Sequence, residues 1–204
     1  NVDATVDGYL DKYHYGRRPT QAFMPSFKNV KKNDSPFLGG YMSYFIAYRS
    51  GWGKDYTQAG IGDELKAKMT DPGPWAVSFG MQGETIPLHE NQISLDDNQK
   101  DQWGVPLLKI NVGYADNDIK MKDDFMREAA EMLDAAGCKK IKTWDNVNWN
   151  PGLDIHEMGG VRMGHDPKTS MLNKWNQLHA CKNVFVTDGA CMSSVGNQNP
   201  SLTF

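Results

Sequence analysis

Residues 75 to 112, WAVSFGMQGETIPLHENQISLDDNQKDQWGVPLLKINV, decide the fold class of this chain. Trp75-Ala76-Val77-Ser78-Phe79-Gly80-Met81-Gln82 alternates in part between apolar and polar side chains, the period that puts one face of a strand against a core. Ile93 and Leu95 share a face of a second strand, and Val105-Pro106-Leu107-Leu108-Lys109-Ile110-Asn111-Val112 makes a third. The polar run 96 to 102 reads as a turn, so the stretch predicts one antiparallel sheet joined by hairpin-type loops. Directly downstream, Ile119, Phe125, Met126, Ala129, Met132, Leu133 and Ala136 recur at spacings of three and four. That is the stripe of an amphipathic helix over 116 to 136, with Gly137 placed to end it and the methionines as core filler. The class expected is α+β, an antiparallel sheet backed by helices.

Working outward, residues 1 to 55 read as a loop-rich lead-in with one strand or short helix at Gly39-Gly40-Tyr41-Met42-Ser43-Tyr44-Phe45-Ile46-Ala47-Tyr48. A short helix over 61 to 69 must stop at Thr70-Asp71-Pro72-Gly73-Pro74, where two prolines and a glycine forbid continuation. A short strand starts at Lys139, and the aromatic, Asn-rich segment 144 to 152 suits a pocket wall better than a core.

Of the 204 residues, 39% are hydrophobic and 23% charged, which is ordinary globular usage, while 20 Gly and 10 Pro call for many loops. The net charge of -3, with basic clusters no denser than Lys28, Lys31 and Lys32 or Lys139 and Lys140, excludes a nucleic-acid partner. No apolar window reaches the roughly 18 residues of a membrane span, and no signal-peptide pattern opens the chain. Asn1-Val2-Asp3 without an initiator Met suggests processing or excision from a longer chain, and leaves the compartment, cytoplasmic or periplasmic, open. Cys138, Cys181 and Cys191 have neither an even count nor a CxxC spacing, so they read as buried or semi-buried free thiols and not as disulfides or metal ligands.

Three blocks near the C-terminus concentrate Gly, Asn, His and Arg. They are His156-Glu157-Met158-Gly159-Gly160-Val161-Arg162-Met163-Gly164, then Asn183-Val184-Phe185-Val186-Thr187-Asp188-Gly189-Ala190, then Gly196-Asn197-Gln198-Asn199-Pro200-Ser201. Residues 184 to 187 have the form of a buried strand whose carboxyl end delivers a ligand-binding loop. Asn199-Pro200-Ser201 has the form of a helix start, with Asn as N-cap and Pro at the first helical position. Arg162 is expected to anchor its loop by hydrogen bonds, and His14, His89, His165 and His179 to be surface or packing residues.

In order and kind, these blocks resemble the C-terminal motifs of the glucose-methanol-choline (GMC) oxidoreductase family: H-x-x-G-x-x-R-M-G, a strand ending in Asp-Gly, and an N-P-[ST] turn. Glu84, the strand from Pro87 to Leu95 and Trp103-Gly104-Val105-Pro106 look like the family's substrate-domain sheet. The resemblance implies FAD as cofactor, His156 as the catalytic base and Asn199 as its partner on the substrate oxygen. It implies Asp188, Gly189, Ala190, Asn199, Pro200 and Ser201 as residues facing the flavin, with no metal. The His/Asn pairing is similar to that of cholesterol oxidase and pyranose oxidase, and the chain looks most like bacterial gluconate and glucoside dehydrogenases.

The chemistry fits those residue types. An alcohol releases hydride readily as its hydroxyl proton leaves, and imidazole titrates near neutrality, where it can take that proton. An amide such as Asn199 can donate to the developing alkoxide without competing for the proton.

On this resemblance residues 1 to 150 are a substrate-binding domain, and 151 to 204 a C-terminal segment of an incomplete FAD-binding α/β domain. No G-x-G-x-x-G follows a strand, and the chain stops at Phe204 in what should be the first turn of a helix. The expectation is a fragment that alone neither holds FAD tightly nor turns over, and whose segment 156 to 204 leaves apolar surface bare. Its partners would be a sugar, polyol or other alcohol, the missing N-terminal half, and an electron acceptor: oxygen, a quinone or a cytochrome. An alternative of another class is a non-catalytic carbohydrate-binding module, with Trp52, Trp75, Trp144 and Trp149 as stacking platforms.

Overall fold

Val2, Ala4 and Val6 alternate with Asp3 and Thr5, and pairing with residues 75 to 79 and 139 to 143 turns that short alternation into a strand inside a sheet. In the computed structural model, which describes residues 1–8, 21–49, 51, 61–145, 151–152, 156–194, 196 and 199–200, Val2–Val6 is β1. The further elements are β2 Ala22–Met24, β3 Tyr41–Arg49, α1 Asp63–Thr70, β4 Trp75–Gly83, β5 Gln92–Lys100, β6 Pro106–Asn111, α2 Asp116–Ala135 and β7 Lys139–Thr143. The class is α+β, as the 75 to 136 stretch predicts. The strands β1 and β2 are the elements missing from a loop-rich reading of residues 1 to 55.

Two compact units divide the chain: Asn1–Gly83 with Lys120–Asp145, and Glu84–Ile119 with Asn146–Phe204. In the first, five antiparallel strands run in the order β2-β3-β4-β1-β7. The long pair β3 and β4 is in register from Tyr41 opposite Gly83 to Arg49 opposite Trp75, with Phe45 and Phe79 stacked directly across at 5.0 Å. Met121, Phe125, Ala129 and Leu133 form the buried stripe of α2, one residue per turn, and pack with Val2, Ala4, Phe37, Tyr41 and Phe79. Burying the larger of these side chains contributes roughly 1.5 to 3 kcal/mol each, which outweighs any intrinsic preference of the short strands. The helix ends where the glycine stands: Gly137 has φ 76°, and Cys138 N–H reaches back to Leu133 O at 2.9 Å.

Charge closes the rim of this core. Tyr41 Oη donates to Asp124 at 2.9 Å, Arg127 donates to Asp124 at 2.6 Å, and Lys28 Nζ donates to Glu128 at 2.8 Å. Burial and then the Asp124 bond push the Tyr41 phenol far above its ordinary value. The Lys28 ammonium bonded to Glu128 holds that carboxyl below the usual glutamate range, and Glu128 in turn raises Lys28.

The second unit corrects the expectation of one continuous sheet over 75 to 112. β4 ends at Gly83, and β5 and β6 pair only with each other, as a two-stranded hairpin. The polar run 96 to 102 is mostly strand: β5 continues to Lys100 through an irregularity, because Asp96 Oδ1 accepts from the Asn98 and Gln99 amides at 2.8 and 3.0 Å. The turn is moved on to Asp101, whose carboxylate accepts from Trp103 and Val105 N–H at 2.9 Å. Asn91 closes the open end, donating to Gly113 O and accepting from Gly113 N–H. Ile93 faces Ile110 and Leu95 faces Leu108 across the ladder, so four apolar side chains share one face of the hairpin, and each is about 60% exposed or slightly more.

Candidate active site

The histidine block has few apolar residues, so backbone hydrogen bonds must hold it in place. Gly159, Val161 and Met163 donate their N–H groups to Gly189, Ala190 and Cys191 carbonyls at 3.2, 2.9 and 3.0 Å. Three successive bonds therefore tie the block that starts at His156 to the turn that carries Asp188, Gly189 and Ala190. Beneath them lies a small core of Leu172, Cys191 and Met192, against which Met158, Val161, Met163, Leu178 and Val186 pack.

The turn is a single 3-10 helix, Gly189–Cys191, capped by Asp188, whose side chain accepts from Ala190 N–H at 2.9 Å. This Asx-type cap uses one of the amides that could serve a ligand. Gly189 N–H donates to no described residue, and Asp188 is exposed. An amide without a described partner beside an exposed carboxylate fits hydroxyl groups such as those of the FAD ribityl chain; the carboxylate opposes a pyrophosphate. Residues 188 to 190 therefore fit the sugar-alcohol part of the cofactor.

His156 is exposed and stands at the start of the described run 156 to 194. Asn199 is exposed and Pro200 half-buried, while Ser201 and the helix expected after it lie outside the described residues. The structure thus brings together the first two motif blocks, and among the described residues no hydrogen bond joins His156 to Asn199.

Arg162 does anchor its loop: Nη2 donates to Thr169 O at 3.0 Å, and its carbonyl accepts from Met171 and Leu172. His179 is a packing residue. Its Nε2 lies 3.2 Å from Gly164 O and 3.3 Å from Ser170 Oγ, and Ser170 Oγ donates to Asp166 O at 2.7 Å. A nitrogen facing a carbonyl must carry the proton, so this Ser-His pair has no base to offer. His89 and His165 are exposed, and His14 lies outside the described residues.

The strand expected over 184 to 187 is not formed. Phe185 makes one isolated bridge, to Gln177, and Val184 and Phe185 are 39% and 56% exposed. A strand without a neighbour on each side leaves its amides and carbonyls unpaired, so the run resolves into single bonds, Leu178 to Val184 and Val186 to Asn176. Cys181, expected to be at least semi-buried, is exposed; Cys138 is half-buried and Cys191 buried. Sequence reasoning missed Met158, Leu172 and Met192 as the packing beneath the block. The apolar positions 158, 161 and 163 inside an otherwise polar motif were the available signal.

Stacking platforms receive little support. The Arg49 guanidinium lies 5.1 Å from the centre of the Trp75 ring and occupies its face, and Trp144 donates its indole N–H to Asp3 at 2.6 Å. Trp52 and Trp149 lie outside the described residues. Among the described residues, no helix is long and apolar enough to cross a membrane.

Comparison with known proteins follows the same motifs. The GMC oxidoreductase family model matches residues 87–204. The chain is 36% identical over 126 residues to 2-methyl-1,2-propanediol dehydrogenase of Mycolicibacterium austroafricanum, covering 60% of this chain and 22% of that protein. It is 29% identical over 148 residues to the gluconate 2-dehydrogenase flavoprotein of Pantoea cypripedii, covering 69% and 24%. With the fructose dehydrogenase large subunit of Gluconobacter japonicus it shares 26% over 184 residues, covering 79% and 33%. The matched part of this chain thus spans between about a fifth and a third of the length of these relatives.

Proposed function

Because this chain belongs to the GMC oxidoreductase family, we propose that it is the substrate-facing part of an FAD-dependent enzyme that oxidises CH-OH groups of an alcohol, sugar or polyol. His156 is the general base and Asn199 the hydrogen-bond donor to the substrate oxygen. Bound FAD supplies the acceptor for the two electrons and hydrogen that leave the carbinol carbon. Asp188, Gly189 and Ala190 hold its hydroxylated chain, with Asn199, Pro200 and Ser201 at its ring.

The observation that carries this reading is the three-bond tie between the histidine block and the Asp188 turn. It makes a proton acceptor and a cofactor-facing turn parts of one piece, as transfer of a proton and a hydride from a single alcohol requires. His156 takes the hydroxyl proton while the C–H bond breaks, and Asn199 steadies the negative charge on oxygen during that interval. The carbonyl product has lost one proton, held at the imidazole, and one hydride. The chain works with the upstream FAD-binding half of a longer polypeptide and passes electrons on to an acceptor.

The names of three relatives point to a polar CH-OH donor: a propanediol, gluconate and fructose. Anaerobic mixing of the full-length flavoprotein with a diol, an aldonic acid, a ketose and a polyol tests the reading. Bleaching of the flavin by at least one of them is expected; a flavin-loaded protein that none of them reduces would overturn it.

A further inference from the structure

Three residues after His156 the chain makes a turn that few amino acids can make. Gly159 has φ 79°, in the left-handed region, and a Cβ placed there would lie 3.3 Å from Met192 O, a backbone atom that cannot swing aside. From this point on, the block is pinned: Gly159, Val161 and Met163 are bonded to the 189 to 191 turn. On its other side Met158 lies against Gly189 so closely that a Cβ on Gly189 would collide with the Met158 sulfur. His156 stands immediately before these constraints, and the direction in which the chain carries it away from the pinned run is set at Gly159.

We infer that Gly159 is a positioning residue for His156, fixing the distance between the base and the cofactor-facing turn through its left-handed backbone. The inference rests on the reading of His156 as the base and goes beyond it by naming what aims the imidazole. The effect of Gly159 is passed through Met158 and Glu157 to the imidazole. Gly159 is bonded to Gly189 of the turn proposed to hold flavin, so its effect is read as the reduction rate per bound flavin, which lost loading alone does not change.

The test uses the full-length flavoprotein and compares Gly159→Ala, Gly159→Asn and His156→Ala by rapid mixing with a reducing substrate. Ala and Asn both carry a Cβ toward Met192 O, but Asn adopts left-handed φ far more readily, so the pair separates backbone conformation from bulk. A displacement of about 1 Å can cost on the order of 10²-fold in rate. The limiting reduction rate per bound flavin is therefore expected to fall about 10²-fold in Gly159→Ala and about tenfold in Gly159→Asn, with substrate affinity near parental. Should Gly159→Ala fail to fold, the Asn variant carries the same expectation alone. Rates within about twofold of the parent, equal losses in Ala and Asn, or losses that merely follow lost flavin overturn the inference. A slow His156→Ala beside a parental Gly159→Ala sinks only this inference; a parental His156→Ala sinks the reading beneath it.

Discussion

Nine hydrophobic residues, from Val2 to Leu133, form one buried cluster in the unit built on the five-stranded sheet. The unit of the hairpin and C-terminal loops buries three described hydrophobic residues, Leu172, Cys191 and Met192, and leaves Ile93, Leu95, Leu108, Ile110, Trp175 and Phe185 well exposed. The first is held by apolar burial, with a charged rim outside it. The second is held chiefly by backbone and Asp or Asn side-chain bonds, at Asp96, Asp101, Asn91, Asp166 and Asp188. The chemistry-bearing motifs are all in the second unit. Loops tied by single hydrogen bonds are where proteins place functional groups.

If that contrast is right, the same kind of substitution should cost different amounts in the two units. Phe125→Ala, which empties a site packed edge-on against Tyr41 at 5.7 Å, should lower stability by about 3 to 5 kcal/mol. Leu172→Ala should cost nearer about 2 kcal/mol, because a three-residue core can collapse around the gap. Urea unfolding of the two variants reads both numbers, and equal losses would break the comparison.

Glu128→Gln probes the rim. The folded-state carboxyl lies below its ordinary value, chiefly through its bond to Lys28. Its contribution is thus present above the ordinary glutamate range and lost as pH falls through that range and below. Lys28, raised by the same bond, contributes below the ordinary amine range and loses that contribution as pH rises through its raised value. The variant should lose under about 1 kcal/mol at neutral pH and show a flatter acid dependence of stability. An unchanged acid profile would remove the pair from the account. Smallest of all, Leu108→Ser on the open hairpin face, where the side chain is 66% exposed, should shift stability by less than about 0.5 kcal/mol. A loss of a core substitution's size would mean that the face is covered.

How much of this was legible in the sequence follows the strength of each local period. The helix α2 carries five turns of one apolar stripe, and β4 carries nine residues that alternate in part, so both can be read without tertiary information, whereas β3, equally long, leaves strand and short helix open in the sequence. The strand β1 has five residues, and its place between β4 and β7 comes from partners distant in sequence. The polar run after Leu95 reads as a turn because Asp, Asn and Gln favour turns, and only the Asp96 bonds reveal an irregularity inside a strand. The run 184 to 187 reads as buried because it is apolar, but burial needs neighbours that the described residues do not supply. At the site, the motif blocks are visible as residue types. The bonds that join the first to the second are made by main-chain atoms, which no side-chain pattern announces.

The central claim is that the imidazole of His156 takes the substrate proton, and rapid-mixing measurement of flavin reduction in the His156→Ala variant of the full-length flavoprotein tests it most directly. The account predicts a reduction rate lower by about 10²- to 10⁴-fold, the range for loss of a general base, with substrate binding little changed because the lost interaction belongs to the transition state. A rate within about threefold of the parent would contradict it.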